Sequence, residues 1–387
     1  MDGAFHNLSD GEWTWELLMY DDTIKLTCLL GAYAYIEKFS DLAKLDSMTT
    51  TMAFIQALKT ASLDDEYCSL DPDALHWIRN PSTVSVDIND NPAWCLGLDL
   101  YMSMTNAAQD TYNSVRNAIL QCYPEDDVPT YDQIKKYVAD LSGVYSIEDD
   151  MCINSCLAFT GPFKHLQKCP ECDEPCYDPF KRKSCQQLHT IPLGPQLQAL
   201  RQGVQSSLEM DYHQATTAKI FTDLNVNDGS IPVIKDFFFG QAYIDKVDEK
   251  MIDKDNMVLL FFMDGAQLYA NKASDCWIYI WIIFDYMPGT RYKKKHVLPG
   301  GFIPGPNKPK HSDSFLFPGL HHLAALQNEG LQIWDSVTKI VITSHPFLAL
   351  ATAGGPGMAY LNGLVGHYGK NGCHLFCSLP GCHKRGI

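Results

Sequence analysis

Two closely spaced pairs of cysteines constrain the fold of this chain more than any other feature. The pairs follow the pattern C-x3-C and C-x2-C with twelve residues between them, and they are Cys152, Cys156, Cys169 and Cys172. Each pair can form one knuckle of a tetrahedral zinc site, and the intervening loop brings both knuckles together. Buried structural thiols fit less well, because these cysteines stand among polar and proline residues. We therefore predict a structural zinc site in residues 151–190, with Cys176 and Cys185 as spare thiols that could replace one ligand.

The overall composition is that of a globular protein of two or three domains. Of 387 residues, 46% are hydrophobic and 11% aromatic. The N-terminus lacks the pattern of a secretory leader, and the most apolar run, Trp277–Phe284, is too short to cross a bilayer. We expect no membrane partner and a reducing compartment, where fourteen clustered cysteines indicate metal before disulfides.

The distribution of charge is uneven along the chain. A net charge of −16 argues against a nucleic-acid partner, but the acidic excess lies in residues 1–150. The stretch 291–310 holds six Lys or Arg residues and no acid. It is compatible with DNA binding and equally with a solvated loop. The candidate DNA contacts are Lys293, Lys294, Lys295, Lys308 and Lys310.

Apolar periodicity divides the chain into four parts. Residues 1–150 read as an acidic, mostly helical module, 151–190 as the zinc-binding segment, 191–254 as a helical connector, and 255–387 as a region of strand-like apolar runs. Turn-rich segments are expected at 71–73 and 80–82. The predicted helices are 106–120, 132–141, 196–208 and 315–327, and the predicted strands are 258–263, 277–284 and 339–343. His321 and His322 are expected to be surface or packing residues rather than ligands.

Asp264 is the strongest candidate for chemistry. It follows the apolar run Val258–Met263 and precedes Gly265, so the strand is expected to end in a carboxylate and a turn. A carboxylate at the edge of a sheet can hold a hard divalent cation. A turn-capping aspartate is the common alternative, and only the surrounding sequence favours a metal.

That surrounding sequence resembles a family of mobile-element enzymes. The run from Asp264 to Phe317, which includes KKKHVLPGGFIPGPNKPK, closely resembles the CACTA-like and Kyakuja–Dileera–Zisupton DDE transposases. The resemblance extends over about residues 70–387, including the MCINSC and CPEC segments and IPLGPQLQAL.

The resemblance implies that residues 255–387 form a partial RNase H-like α/β catalytic core with a Cys/His insertion, within an α+β multi-domain protein. In this family Asp, Asp and Glu bind two Mg²⁺ or Mn²⁺ ions that cleave and join DNA. Asp264 resembles the first acid by position. The second is expected in the motif Ala-Asp-Gly-Pro-Gly, but this chain has Gly354 at the acid position, and the third is expected beyond Ile387.

A second cysteine and histidine cluster follows Gly354. It contains His367, Cys373, Cys377 and Cys382, with His383 beside them. The segment resembles a Cys/His insertion that the family carries after the second acid, and it is a second candidate zinc site.

Two functions remain open from the sequence. One is a transposase that cleaves and joins DNA through Asp264, although the glycine at 354 predicts that this activity is lost. The other is a non-catalytic, zinc-dependent remnant that binds DNA or protein. The resemblance implies DNA as the partner and the nucleus as the location, and it leaves the oligomeric state open.

Overall fold

The computed structural model describes residues 46–84, 91–104, 107–231, 233–267, 275–354, 357, 358 and 361. The strands are β1 (Ile147–Asp150), β2 (Gln187–Thr190), β3 (Val258–Gln267), β4 (Asp275–Ile283), β5 (Val297–Pro304), β6 (Leu331–Asp335), β7 (Ile340–Ser344) and β8 (Phe347–Ala353). The helices are α1 (Asp46–Lys59), α2 (Pro72–Arg79), α3 (Pro92–Ser103), α4 (Gln109–Cys122), α5 (Tyr131–Ser142), α6 (Leu193–Gln202), α7 (Val204–Glu209), α8 (Tyr212–Val226), α9 (Gln241–Asp248) and α10 (Ser312–Glu329). The described part of the chain is thus α+β, as predicted.

One mixed sheet organises the molecule. Its order is β1-β2-β5-β4-β3-β8, and β6 and β7 form a separate hairpin. Strands β3, β4 and β5 run antiparallel, whereas β8 pairs parallel to β3 after the chain has crossed through α10. Two strands of the sheet flank the cysteines of the zinc-binding segment, because β1 ends before Cys152 and β2 begins after Cys185.

Strand β3, which lies next to the edge strand β8, is buried on both faces. Leu259 and Phe261 pack into one core with α1, α6 and α10, whereas Val258 and Leu260 pack into a second core with α8 and α9. A run of apolar residues without alternation is the pattern expected of such a strand. Packing on two faces fixes the register of β3 and therefore the position of Asp264.

Local sequence explains where several helices begin. Asp71 caps α2 by accepting a hydrogen bond from the Ala74 N–H at 2.8 Å, and Pro72 occupies the first helical position. Asn91 and Pro92 start α3 in the same way. The prediction of a turn-rich segment at 71–73 was therefore wrong, because an Asp-Pro pair also serves as a helix start.

Candidate metal centres

The four predicted cysteines converge on one point. The sulfur atoms of Cys152, Cys156, Cys169 and Cys172 all lie within 4.8 Å of one another, and the first three residues are buried. The Sγ atoms of Cys152 and Cys172 are 3.4 Å apart. Tetrahedral zinc with four thiolates separates the sulfurs by about 3.8 Å. The cluster therefore fits a zinc ion.

The two knuckles have the tight backbone that such a site requires. Ser155 and Asp173 adopt left-handed conformations with φ of 56° and 60°, one in each knuckle. The N–H of Asn154 points at the Cys152 sulfur at 3.4 Å. Backbone N–H groups aimed at sulfur stabilise the thiolate form that a metal needs.

Burial and hydrogen bonding act in opposite directions on the cluster's thiols. Burial raises the pKa of Cys156 well above its usual range and that of Cys169 to about 11. Burial also acts upward on Cys172, but hydrogen bonds from the Asn154 side chain and the Glu174 backbone lower its pKa to about 7. Several buried thiolates cannot coexist without a cation, so these side chains fit a dication and not four free anions.

The spare thiols lie beside the cluster and not in it. Cys176 is buried with its sulfur 3.9 Å from a carboxylate oxygen of Asp150, and Cys185 is opposite it across a narrow hairpin. Among the described residues, the only group of three or more potential ligands is the four-cysteine cluster.

The cysteine-rich segment also holds the basic loop that follows β5. The N–H groups of Lys310 and His311 both donate to the Cys156 carbonyl, at 3.2 and 2.9 Å. The Gln186 side chain donates to the Gly305 carbonyl at 2.6 Å. The zinc-binding segment therefore fixes residues 305–311 at the sheet end where β5 terminates.

Asp264 lies at this same end of the sheet, on β3. It pairs with Ile278 of β4, and its exposed carboxylate accepts a hydrogen bond from the Gly265 N–H at 2.9 Å. The prediction that the strand ends at Asp264 was wrong by three residues, because β3 stays paired with β4 as far as Gln267. The strand predicted at 277–284 is confirmed as β4, which pairs antiparallel with β3.

Gly354 directly adjoins the Asp264 carboxylate. The parallel register pairs Met263 with Ala353, the last residue of β8, so Asp264 on β3 lies beside Gly354, the first residue after β8. A Cβ atom on Gly354 would lie 2.9 Å from one carboxylate oxygen of Asp264 and 3.3 Å from the other. Any side chain at position 354 would therefore point at Asp264. A pair of Mg²⁺ or Mn²⁺ ions needs several carboxylates, and these two positions supply one, so the residues described here do not fit such a pair.

The predicted DNA-contacting lysines fall into two groups. Lys308 lies over the ring of Trp277, 5.4 Å from its centroid, and Trp277 pairs with Gly265. Lys308 and Lys310 thus lie at the Asp264 end of the sheet. The other group precedes the first residue of β5 and therefore lies at the opposite end of the sheet. It consists of Lys293, Lys294 and Lys295.

One cation of the basic stretch is unavailable for DNA. Arg291 is 1% exposed and forms a bidentate pair with Asp236 at 3.0 and 2.8 Å. Its charge is therefore neutralised inside the protein. Sequence reasoning counted Arg291 in the basic strip because nothing local marks the distant Asp236.

Several predictions fall outside the described residues. They are the second cysteine and histidine cluster, at His367, Cys373, Cys377, Cys382 and His383, and the first 45 residues of the predicted helical module 1–150. His321 and His322 are described and are both buried. His321 contacts Asp65 at 2.8 Å, and Gly194 N–H donates to His322 Nε2 at 3.0 Å. These are packing roles, within the alternatives predicted.

Comparison with known proteins gives one family. Residues 242–385 match the model of the transposase family tnp2, a segment that contains Asp264, Gly354 and the basic loop. The match supports a transposase family for this part of the chain. No curated protein matches the chain.

None of the helices in the described ranges is long and apolar enough to cross a membrane.

Proposed function

We propose that this chain is a transposase-derived protein that binds DNA and has lost the metal-dependent cleavage of its ancestors. The observation that carries the proposal is the position of Gly354. A Cβ atom at this position would lie 2.9 Å from a carboxylate oxygen of Asp264, so an acid there would adjoin Asp264 once that carboxylate shifts to make room. Acids at these two positions could share a cation, whereas the glycine that follows β8 offers Asp264 no carboxylate partner.

The arrangement of the strands supports an RNase H-like core. Strands β3, β4 and β5 form an antiparallel meander, and β8 joins the other side of β3 in parallel. Helix α10 and the β6–β7 hairpin lie between β5 and β8 in the chain. This order brings Asp264 and Gly354, the positions that match the first two acids of the resembled family, together at the ends of two adjacent strands. We assign the chain to the CACTA-like or Kyakuja–Dileera–Zisupton group on the resemblance in residues 264–317.

The lost acid removes a specific chemical capability. Cleavage of a phosphodiester requires that the attacking and leaving oxygens both be stabilised, which two metal ions do in this enzyme class. Asp264 alone can hold at most part of one ion's coordination shell. Asp264 still lies on β3 with an exposed carboxylate, but position 354 supplies no second carboxylate.

DNA binding has separate support. Lys308 and Lys310 lie at the Asp264 end of the sheet, in a loop that the cysteine-rich segment fixes. Structural zinc in the four-cysteine cluster would therefore hold cations near the position of the ancestral scissile phosphate. The nucleus is the expected location, because the resembled transposases act on genomic DNA of eukaryotes.

The deciding experiment is a nicking assay on supercoiled DNA in Mg²⁺ or Mn²⁺. We expect no nicking by the unmodified chain and none by Asp264→Asn. Gly354→Asp tests whether the second acid is the missing element, and Gly354→Ala is the matched control that adds a Cβ without a carboxylate. Nicking by the unmodified chain that Asp264→Asn abolishes would show a working site and would overturn the proposed loss of activity.

Binding is measured beside cleavage. Fluorescence anisotropy with a labelled duplex should give salt-dependent affinity for the unmodified chain, because phosphate contacts release counterions. Lys308→Ala should weaken binding and flatten the salt dependence. A chain that binds no DNA at low salt would contradict the proposed partner, whatever the result of the nicking assay.

A further inference from the structure

A narrow hairpin projects from the cysteine-rich segment. Residues 176–185, here called the Phe180 hairpin, are paired by a bridge between Tyr177 and Ser184. The Cys185 N–H donates to the Cys176 carbonyl at 3.0 Å. At the base, Cys176 is buried and its N–H donates to the Gln167 carbonyl at 3.0 Å. The hairpin is therefore anchored beside the zinc cluster.

The tip of the hairpin has a defined shape. One carboxylate oxygen of Asp178 accepts hydrogen bonds from the N–H groups of Phe180 and Lys181, both at 2.8 Å. The Arg182 N–H donates to the Asp178 carbonyl at 2.9 Å, and Arg182 adopts a left-handed conformation with φ of 52°. Asp178 thus uses its carboxylate to order the turn, so the turn holds Phe180 in place.

Phe180 is presented to solvent with cations beside it. Its side chain is 93% exposed. Lys181, Arg182 and Lys183 follow it directly and are all exposed, and no carboxylate in the described ranges lies within ion-pairing distance of them. A single exposed aromatic residue is ordinary on a protein surface. A rigid turn that presents an aromatic ring beside three consecutive cations, on a chain of net charge −16, is a more specific arrangement.

The combination matches the chemistry of nucleic acid with an accessible base. Aromatic rings stack on unpaired bases, and neighbouring cations contact the phosphates. A protein partner or an anionic lipid surface would also attract the cations, but an isolated ring on a narrow turn offers little apolar area to either. The ring has the size and the access to stack on one base.

The hairpin also lies at the relevant end of the sheet. It leads into β2 at Gln187, and the preceding Gln186 donates to the Gly305 carbonyl, just beyond the end of β5. β5 ends beside the first residues of β4, which pair with the Asp264 end of β3. The base of the Phe180 hairpin, the basic loop and Asp264 therefore lie at one end of the sheet.

We propose that the Phe180 hairpin is a DNA contact that recognises unpaired bases, with Phe180 stacked on one base and the three cations on the flanking phosphates. This rests on the proposed function, which supplies DNA as the partner. It adds a preference for gapped or single-stranded DNA over intact duplex, and it places that preference in one side chain.

The test compares two DNA substrates and four forms of the full chain with its zinc. Anisotropy is measured on a blunt duplex and on the same duplex with a short single-stranded gap, at one salt concentration. Phe180→Ala should weaken binding to the gapped DNA by about tenfold and leave the blunt duplex within about twofold. Phe180→Tyr keeps the ring and should bind both substrates like the unmodified chain. Lys183→Ala should weaken binding to both substrates alike.

Each outcome has a distinct meaning. If the unmodified chain binds DNA and Phe180→Ala binds the gapped substrate equally well, the hairpin proposal is wrong and the proposed function stands. If the unmodified chain binds neither DNA, the proposed function and this inference both fail. Phe180-dependent binding to anionic phosphatidylserine vesicles, with no effect on gapped DNA, would overturn the proposal in favour of a lipid surface. Equal thermal melting of all four forms will establish that the variants are folded, as the exposure of Phe180 leads us to expect.

Discussion

The cysteine-rich segment and the Asp264 end of the sheet lie side by side but are held together by different forces. The segment has a small core made largely of its own thiols with Leu157 and Phe159. The sheet is packed on both faces by large apolar clusters. The segment keeps all four of its candidate ligands, whereas the sheet end has an aspartate beside a glycine.

The contrast separates ligands that build a fold from ligands that only perform chemistry. A segment with little core depends on its metal to fold, so losing one cysteine would cost the structure itself. A packed sheet does not depend on its carboxylates, and an acid at its edge can be replaced while the strands keep their register. Intact cysteines therefore indicate a retained fold, and they say nothing about retained catalysis.

Removal of the metal should produce the largest difference between the cysteine-rich segment and the sheet. Chelation, or Cys169→Ser, should unfold residues 151–186, because structural zinc contributes about 10–16 kcal/mol in small zinc-binding peptides. Hydrogen exchange should show lost protection in that segment and retained protection in residues 258–263 of β3.

The control for this experiment is Cys122→Ser, which alters an exposed thiol on α4. It should leave the exchange pattern and the zinc content unchanged. Equal loss of protection in β3 after chelation would mean that the cysteine-rich segment and the sheet fold as one unit, and that the sheet also depends on the metal.

The second effect concerns the sheet and should not involve zinc. Arg291→Ala leaves the Asp236 carboxylate buried without its bidentate partner. Breaking a buried ion pair from one side typically costs about 3–5 kcal/mol. Urea unfolding should report this loss while the bound zinc per chain stays constant. A zinc content that falls with the stability would connect the two regions.

A smaller effect should appear with pH. Burial is the main cause that lowers the pKa of His322, to about 3, and the nearby His321 acts in the same direction. Protonation of His322 would also remove the acceptor for the Gly194 N–H. The unfolded chain binds that proton near the ordinary pKa of about 6.5, so between these values it holds more protons than the folded chain. Stability should therefore fall as the pH drops below about 6.5, by up to about 1.4 kcal/mol per unit.

Urea unfolding at several pH values between 7 and 5 measures this slope. His322→Gln keeps a hydrogen-bond acceptor and does not titrate, so the slope should be shallower. His165→Gln, at a side chain that is 81% exposed, should leave it unchanged. Identical slopes in all three proteins would show that His322 does not set the acid sensitivity.

The smallest effect tests close packing in the sheet. A Cβ on Gly319 of α10 would lie 2.5 Å from the Tyr279 hydroxyl oxygen. The crowding in Gly319→Ala should cost about 1–3 kcal/mol, against a gain of about 1 kcal/mol in helix propensity. The net result should be a modest loss in melting temperature. Gly289→Ala meets no atom within 4 Å and should cost less, and a more stable Gly319→Ala would mean that Tyr279 has room to move.

The sequence predicted those features that depend on local patterns. The cysteine spacing predicted a cluster that the structure confirms, and the apolar runs predicted β3 and β4 to within a few residues at each end. Helix α10 was predicted as 315–327 and spans Ser312–Glu329. In each case the residues carry a strong signal of their own, either ligand spacing or apolar periodicity.

Features set by distant partners were missed. Strand β1 has the sequence IEDD, which lacks the pattern of a strand, and it forms because it pairs with β2. The proximity of Gly354 to Asp264 could be expected only through the family resemblance, because it depends on a parallel pairing across some 90 residues. The Phe180 hairpin was missed because its basic residues were read only as part of a cysteine-rich block.

The Cβ direction at Gly354 has an evolutionary consequence. Strand β8 already lies in parallel register beside β3, and a Cβ at position 354 would lie 2.9 Å from a carboxylate oxygen of Asp264. Only the Asp264 side chain would therefore have to shift for the sheet to regain a paired-acid edge. A glycine codon with a pyrimidine in its third position becomes an aspartate codon by one base change. The loss of this acid that we propose would then be a reversible step in the history of the gene, because β8 is already in register with β3.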